Sequence, residues 1–298
     1  MLTGVQIAFI GGDARQLEVI KHCIEQDATV YLMGFDNLDS QYSGARKGDL
    51  TPEIRQRLDV LVLPIVGTDD QGYVDSIFTS KQIRLTEQWM HDLNENCTVY
   101  TGMAKPYLRD LCENRGLQLV ELLMRDDVAI YNSIPTVEGA LMMAIQNTDI
   151  TLHGSKIIVL GLGRVGLTLA RTLQALGVKV SVGVRRPEHF ARAHEMNLTP
   201  FNSKELASRV RDVDVVFNTV PSHIVSAKVI KQMPVHTVII DLASKPGGTD
   251  FRYAEKRGIK ALLAPSLPGL VAPKTAGKIL AVTLSQMIHD QINRQEEG

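Results

Sequence analysis

The chain has 298 residues, 44% of them hydrophobic and 22% charged, with a formal net charge of −1. Those values suit globular material of two-domain length and remove any electrostatic case for nucleic acid or a membrane surface as partner. The three cysteines, Cys23, Cys97 and Cys112, form no CxxC pair. That argues against a disulfide framework or structural zinc and fits a reducing, cytoplasmic compartment. The opening MLTGVQIAFIGG has no basic n-region and reads as a first strand, not a leader; no uncharged apolar run is long enough to span a bilayer.

From the N-terminus onward, short β-branched runs alternate with longer amphipathic stretches, the pattern of βαβ units and parallel sheets. Val5–Ile10 predicts a strand, Gly11–Gly12 a turn, and Ala14–Glu25 a helix with Leu17, Ile20 and Ile24 on one face. Further strands are expected at Val30–Met33, Val60–Leu63, Thr98–Tyr100 and Leu117–Glu121, giving a flavodoxin-like substrate domain over 1–130. Pro135 suits the first turn of a linker helix over 135–147, where its missing N–H costs nothing. A second domain over 131–273 takes strands at Lys156–Leu160, Lys179–Val184, Val213–Asn218, Thr237–Asp241 and Lys260–Leu263. A terminal helix over 274–298 is expected to return to the first domain. The fold class is thus α/β: two doubly wound parallel-sheet domains, the second a Rossmann NAD(P)-binding domain, with an interdomain cleft as the place for a small ligand.

The strongest motif is Gly161-Leu162-Gly163-Arg164-Val165-Gly166, preceded by the apolar run Lys156–Leu160 and followed by LTLARTLQALG. A lone GxGxxG is weak, but here it sits between a strand and a helix, with another strand beyond. Gly161 permits the tight turn, Gly163 the close approach of a pyrophosphate, and Gly166 the packing of helix on strand. The helix N-terminus supplies N–H groups and positive dipole character to phosphate. The strand over 179–184 ends without a carboxylate for a ribose 2′-hydroxyl and is followed by Arg185 and Arg186, which can clamp a 2′-phosphate. NADP is therefore the expected cofactor, with NAD the alternative. Thr219, Val220 and Pro221 close the fourth strand of this domain, at the crevice end of the sheet, and are expected beside the nicotinamide ribose.

Four segments carry groups suited to a small polar acid. They are Gly11-Gly12-Asp13-Ala14-Arg15; Arg125-Asp126-Asp127 with Tyr131-Asn132-Ser133-Ile134-Pro135-Thr136 and Glu138; Asp241 to Asp250 with Ser244 and Lys245; and Ala264 to Gly269 with Lys274. An arginine such as Arg15 matches a carboxylate bidentately. Each segment also has a plainer reading, as turn chemistry, a helix cap or a solvated charge. The eight histidines show no HxxxH or HxH spacing, so no metal site is expected, and there is no GxSxG element.

GGDARQ, RDDVAIYNSIPTVEGA, GLGRVG, DLASKPGGTDF and APSLPGLVAPKTAG, in this order along essentially the whole chain, resemble the A-subunit family of bacterial dipicolinate synthases. The resemblance implies a role in endospore formation, in the mother-cell cytoplasm. It implies oxidation of dihydrodipicolinate, or dehydration and oxidation of its 4-hydroxytetrahydro precursor, to dipicolinate. It also implies that the partner is a flavoprotein-like B subunit, and a homo-oligomer is expected as well. A dicarboxylate needs two anion sites: Arg15 with the turn at Gly12 and Asp13 for one, and Lys245, Lys274 or the Ser133 and Thr136 hydroxyls, near Asn132, for the other. Acid and base are sought among Asp13, Asp127, Glu138, Asp241 and Lys245, with Lys245 and Asp241 foremost because their strand ends near the nicotinamide. One rival is a dehydrogenase of 2-hydroxy acids or alanine. The hydroxy-acid enzymes place a catalytic histidine near the end of this domain, and Ala264–Lys274 has none. The other rival is a non-catalytic nucleotide-binding scaffold for the flavoprotein partner.

Overall fold

The computed structural model describes residues 1–38 and 44–296, with side chains to 292. Residues 297 and 298, the last of the expected terminal helix, lie outside the described residues. The chain divides into two compact units, one of residues 1–131 with 272–298 and one of residues 132–271.

In the first unit the strands are β1 (Gln6–Ile10), β2 (Thr29–Met33), β3 (Ala45–Lys47), β4 (Val60–Val62), β5 (Tyr73–Val74), β6 (Ile83–Arg84), β7 (Thr98–Thr101) and β8 (Leu119–Glu121). The helices are α1 (Ala14–Glu25), α2 (Pro52–Arg55), α3 (Glu87–His91), α4 (Pro106–Arg115) and the start of α5 (Asp126–Asn147). Six strands form one parallel sheet in the order β3-β2-β1-β4-β7-β8, while β5 and β6 pair as a small antiparallel ribbon. The run β2-β1-β4-β7-β8 has flavodoxin order, and β3, too short and polar to read from sequence, adds a sixth strand at its edge. Ile7 and Phe9 of β1 enter one core and Ala8 and Ile10 the other, as expected of a sheet covered on both faces.

The second unit holds the rest of α5, then β9 (Lys156–Leu160), α6 (Arg164–Ala175), β10 (Lys179–Val184), α7 (Pro187–Glu195), β11 (Thr199–Asn202), α8 (Leu206–Arg209), β12 (Val215–Asn218), α9 (Ala227–Ile230), β13 (Val238–Asp241), α10 (Phe251–Lys256), β14 (Lys260–Leu263) and α11 (Leu267–Val271). The sheet order is β11-β10-β9-β12-β13-β14, all parallel, which is the Rossmann order. Helix α6 buries Gly166, Leu169, Ala170 and Leu173, a 3.6-residue stripe laid on the sheet.

One sequence expectation needs correction. Helix α5 begins at Asp126, not Pro135, so the proline lies inside it. The acidic pair Asp126 and Asp127 occupies the first turn, where the helix dipole favours negative charge. Pro135 cannot donate to the carbonyl of Tyr131, and the boundary between the units falls at that residue. Helix α5, though interrupted by Glu138, is long and apolar enough to cross a membrane by length and composition alone. Its buried side chains serve protein cores instead: Val128 lies in that of the first unit, and Val137, Ala140 and Ala144 in that of the second. In α1, Leu17, Ile20 and Ile24 pack against one core as expected, and Val19 and Cys23 are buried there as well.

The closing helix α12 (Pro273–Glu296) belongs to the first unit and packs on α1. Ala276, Leu280, Ala281, Leu284 and Ile288 form its buried stripe. Gly277 permits the close crossing, since a Cβ there would stand 2.5 Å from the carbonyl oxygen of Arg15. All three thiols are buried in this unit, and burial pushes each of them up to about 12. Because thiolate is the reactive form, the folded protein should resist thiol-specific alkylation, and all three cysteines should label only on unfolding. Mass spectrometry before and after denaturant checks this; rapid native labelling of Cys23 would contradict the packing of α1 under α12.

Candidate active site

In an open parallel sheet the ligand crevice lies beyond the carboxyl ends of the strands where the order reverses. Here that point is between β9 and β12, and the fingerprint loop leaves β9 there. Gly161 has φ +91°, and a Cβ on it would stand 2.6 Å from Thr219 Oγ1. A Cβ on Gly166 would stand 2.3 Å from the Gly161 carbonyl oxygen. At Gly163 a Cβ would meet nothing within 4 Å, so that face of the loop is open. Gly163 is also the N-cap of α6 and supplies no side-chain cap to the helix. Two glycines therefore close the turn and the third leaves room above a helix start that no cap side chain covers. That is a cradle for phosphate, and it fits the dinucleotide. Leu162 is buried and fixes the loop from below, Val165 is half-buried, and Arg164 is exposed beside the opening.

The neighbouring strand ends complete the cradle. Thr219 donates its hydroxyl to the Leu160 carbonyl (2.8 Å), tying the end of β12 to the end of β9. Val220 is half-buried and Pro221 exposed. Beyond β10, Arg185 and Arg186 are both exposed. Arg186 pairs with Glu188 (3.1 Å) and lies against His189 (2.6 Å), whereas Arg185 forms no ion pair among the described residues. Glu188 and His189 belong to this corner too, and no motif in the sequence points to them.

The loop after β13 is organised from within. Asp241 is wholly buried. Its Oδ1 accepts from Asn218 Nδ2 (3.0 Å) and the Ala243 amide (3.1 Å), and its Oδ2 from the Gly248 amide (2.9 Å) and Thr249 Oγ1 (2.6 Å). With four donors and no exposure, Asp241 has no lone pair to offer a substrate. The expectation that it acts as acid or base is corrected: it holds the loop. Ser244 and Lys245, carried by the same loop, are exposed.

The other predicted residues are placed as follows. Asp13 caps α1 and grips Arg15 through Nε (3.0 Å) and Nη2 (2.5 Å), so two arms of that guanidinium are already taken. Burial raises the Asp13 carboxyl, but its bonds to Arg15 outweigh that and hold it below the usual range. Two of the N–H groups expected to be free at this turn are taken. Gly11 donates to Met33 (2.9 Å) and Gly12 to Asp75 (2.9 Å), while Ile77 donates to the Gly12 carbonyl (3.0 Å). The glycine pair exists to let the 75–77 segment cross, since a Cβ on Gly11 would meet the Asp75 carbonyl at 2.7 Å. The Gly11 and Gly12 amides are thus not available to an anion. Asp127 is an exposed partner of Arg125 (2.8 Å), whose hydrogen bond holds its carboxyl low and unsuited to acid catalysis. Ser133 is buried with its hydroxyl on Thr168 (2.8 Å), and Thr136 donates to the Asn132 carbonyl (2.7 Å). Glu138 is exposed on α5. Lys274 is exposed in the first turn of α12, which holds no acidic residue. A helix dipole opposes a cation there, so Lys274 does not complement its helix. Among the described residues no group of three His, Cys, Asp or Glu side chains could hold a metal ion.

Comparison with known proteins identifies the family. Residues 6–123 match the family model for the N-terminal domain of the dipicolinate synthase A subunit, and residues 132–297 that of the alanine dehydrogenase/PNT C-terminal domain. Over all 298 residues of both chains, the protein is 51% identical to the dipicolinate synthase A subunit of Bacillus subtilis (strain 168). The crystal structure of the Bacillus halodurans A subunit superposes with a TM-score of 0.93 at 52% identity, covering 97% of this chain and 99% of that one. Its Bacillus subtilis counterpart gives 0.93 at 50% identity, covering 97% of each. The chain belongs to the A-subunit family of dipicolinate synthases, and its second unit is the dinucleotide-binding domain of an NAD(P)-dependent oxidoreductase.

Proposed function

We propose that the chain oxidises dihydrodipicolinate, or dehydrates and oxidises its 4-hydroxytetrahydro precursor, to dipicolinate with NADP. The observation that carries this reading is the glycine cradle over the start of α6, at the reversal point of the sheet. Held over Gly161, Gly163 and Gly166, a nicotinamide nucleotide would supply the hydride acceptor for this oxidation. The protein must then take up the proton lost as the ring becomes aromatic, and orient the ring for both departures. Lys245, exposed on a loop fixed from beneath, is assigned to proton transfer at the ring, as the acid for the hydroxyl that leaves the 4-hydroxytetrahydro form. Aromatisation supplies the thermodynamic drive, so orientation is the main task; near-attack geometry can lower such a barrier by ~7–11 kcal/mol.

Arg185 is assigned the 2′-phosphate, with Arg186 in support because Glu188 already shares its charge. A charge-assisted bond of this kind contributes ~1.5–3 kcal/mol, or about 10- to 150-fold in affinity. Arg185→Ala should weaken NADP binding by that factor, leave NAD binding unchanged, and do more harm than Arg186→Ala. Calorimetric titration with both nucleotides tests it; equal losses for NADP and NAD would remove the assignment.

As an A subunit the chain works with a partner subunit, proposed to be flavoprotein-like, in the mother-cell cytoplasm of a sporulating bacterium. Tyr131, Ile134 and Ile145 on α5 are 59%, 50% and 62% exposed, which supports a protein partner or a second copy on that helix.

A further inference from the structure

The buried group at the ends of β12 and β13 is larger than a loop anchor needs to be. Asn218 is also fully buried. Its amide nitrogen donates to both Asp241 Oδ1 and the Val220 carbonyl (3.0 Å each), and its amide oxygen accepts from the Val220 amide (3.0 Å). On the far side, the Val225 amide donates to the Gly248 carbonyl (2.9 Å) and the Asp250 amide to the Val225 carbonyl (3.0 Å). Gly248 is pinned between these layers: a Cβ on it would stand 2.5 Å from the carbonyl oxygens of both Val220 and Ser222. The carboxylate at the centre has only dipolar partners, since no Lys, Arg or His forms an ion pair with it among the described residues. A buried charge held solely by aimed donors loses much when one donor goes, because the remaining desolvation is not offset.

We infer that Asn218, Asp241 and Thr249 are positioning residues: they lock the 219–225 and 242–250 loops into one body, which sets Lys245 and Thr219 in register over the reversal point of the sheet. The inference rests on the proposed reaction only for the role of Lys245. The loop carrying that lysine has an exposed Ser244-Lys245-Pro246 crest and a buried Gly248-Thr249 root. The crest itself has few constraints beyond a turn bond from the Gly247 amide to the Ser244 carbonyl (2.9 Å). Its position is therefore set by the root. Thr249 is the most informative member, because its hydroxyl makes the shortest bond to Asp241 and its replacement by valine keeps the side chain's shape.

The test compares Thr249→Val with Thr249→Ser in the full-length chain. Amide hydrogen exchange at Gly248 reads the lock, NADP titration reads cofactor affinity, and dipicolinate formation with the partner subunit reads turnover. Thr249→Val should lose protection at Gly248 and lower kcat by about tenfold to a hundredfold, the range for a reacting group displaced by about 1 Å. NADP affinity should hold, and Thr249→Ser should restore both protection and kcat. Unchanged protection at Gly248 in Thr249→Val would overturn the lock. Lost protection with unchanged kcat would overturn positioning. In that case Lys245→Ala separates the two readings: an inactive variant leaves the role of Lys245 standing while the positioning inference falls, and an active one removes both.

Discussion

Replacing Gly166 with alanine should all but abolish nucleotide binding, while the same change at Gly163 should leave the fold untouched. The added Cβ at Gly166 would lie 2.3 Å from the Gly161 carbonyl oxygen, a backbone atom that cannot step aside. Either α6 slides away from β9 or the turn at Gly161 opens, and both move the amides that face the phosphates. Strain of this kind costs ~1–3 kcal/mol, and misaligned donors add to it, so a fall in affinity of about 100-fold or more is expected. At Gly163 the added carbon meets no protein atom within 4 Å. Its melting temperature should match the parent while NADP affinity still drops, because the methyl occupies space the pyrophosphate needs. Titration calorimetry with thermal melts distinguishes the two. A Gly166→Ala variant that binds NADP normally would show that the cradle is not the nucleotide site.

Lys245→Ala should lower dipicolinate formation by about 10²- to 10⁴-fold, the usual worth of a positioned proton-transfer group. NADP affinity should stay within error, because the phosphate cradle lies on a different loop. Lys245→Arg should not rescue turnover, since a guanidinium holds its proton too tightly to deliver it and differs in shape from the ammonium. Single-turnover measurement with the partner subunit checks the step itself. Full activity in Lys245→Ala would move the proton-transfer role elsewhere, with exposed Glu138 the next residue to change. The corresponding test at Asp241 has a different meaning. Asp241→Asn places an amide opposite two donors, from Gly248 and Thr249, so its damage would be to the loop and not to a proton step.

Much of the fold is legible because parallel strands buried on both faces read as continuous apolar runs. Lys156–Leu160 and Lys179–Val184 are recovered to the residue, as is Ala14–Glu25. The short, polar edge strands β3 and β11 carry no such signal. Pro135 misleads for a physical reason: proline is usually a helix start, and only the acidic pair at Asp126 and Asp127 betrays the true one. At the site, the roles of Gly161, Gly163 and Gly166 follow from the motif alone, because each depends on local backbone geometry. The fate of a polar side chain does not. Asp241 and Arg15 read as chemistry because sequence shows charge but not partners. One is surrounded by four donors and the other gripped by Asp13. Asn218 and Thr249 escape notice as a set because they sit 31 residues apart, and only the adjacency of β12 and β13 brings them to one carboxylate.

Reconstitution with omission bears most directly on whether this chain is a nicotinamide-dependent oxidoreductase. The purified chain is mixed with the partner subunit proposed above, freshly generated dihydrodipicolinate precursor and NADP, and dipicolinate is followed by its ultraviolet absorbance as each component is left out in turn. Product is expected only when this chain and a nicotinamide nucleotide are both present, faster with NADP than with NAD, with reduced nucleotide appearing in step with dipicolinate. Dipicolinate formed at the full rate without any nicotinamide nucleotide would contradict that role and leave the chain as a scaffold for its partner.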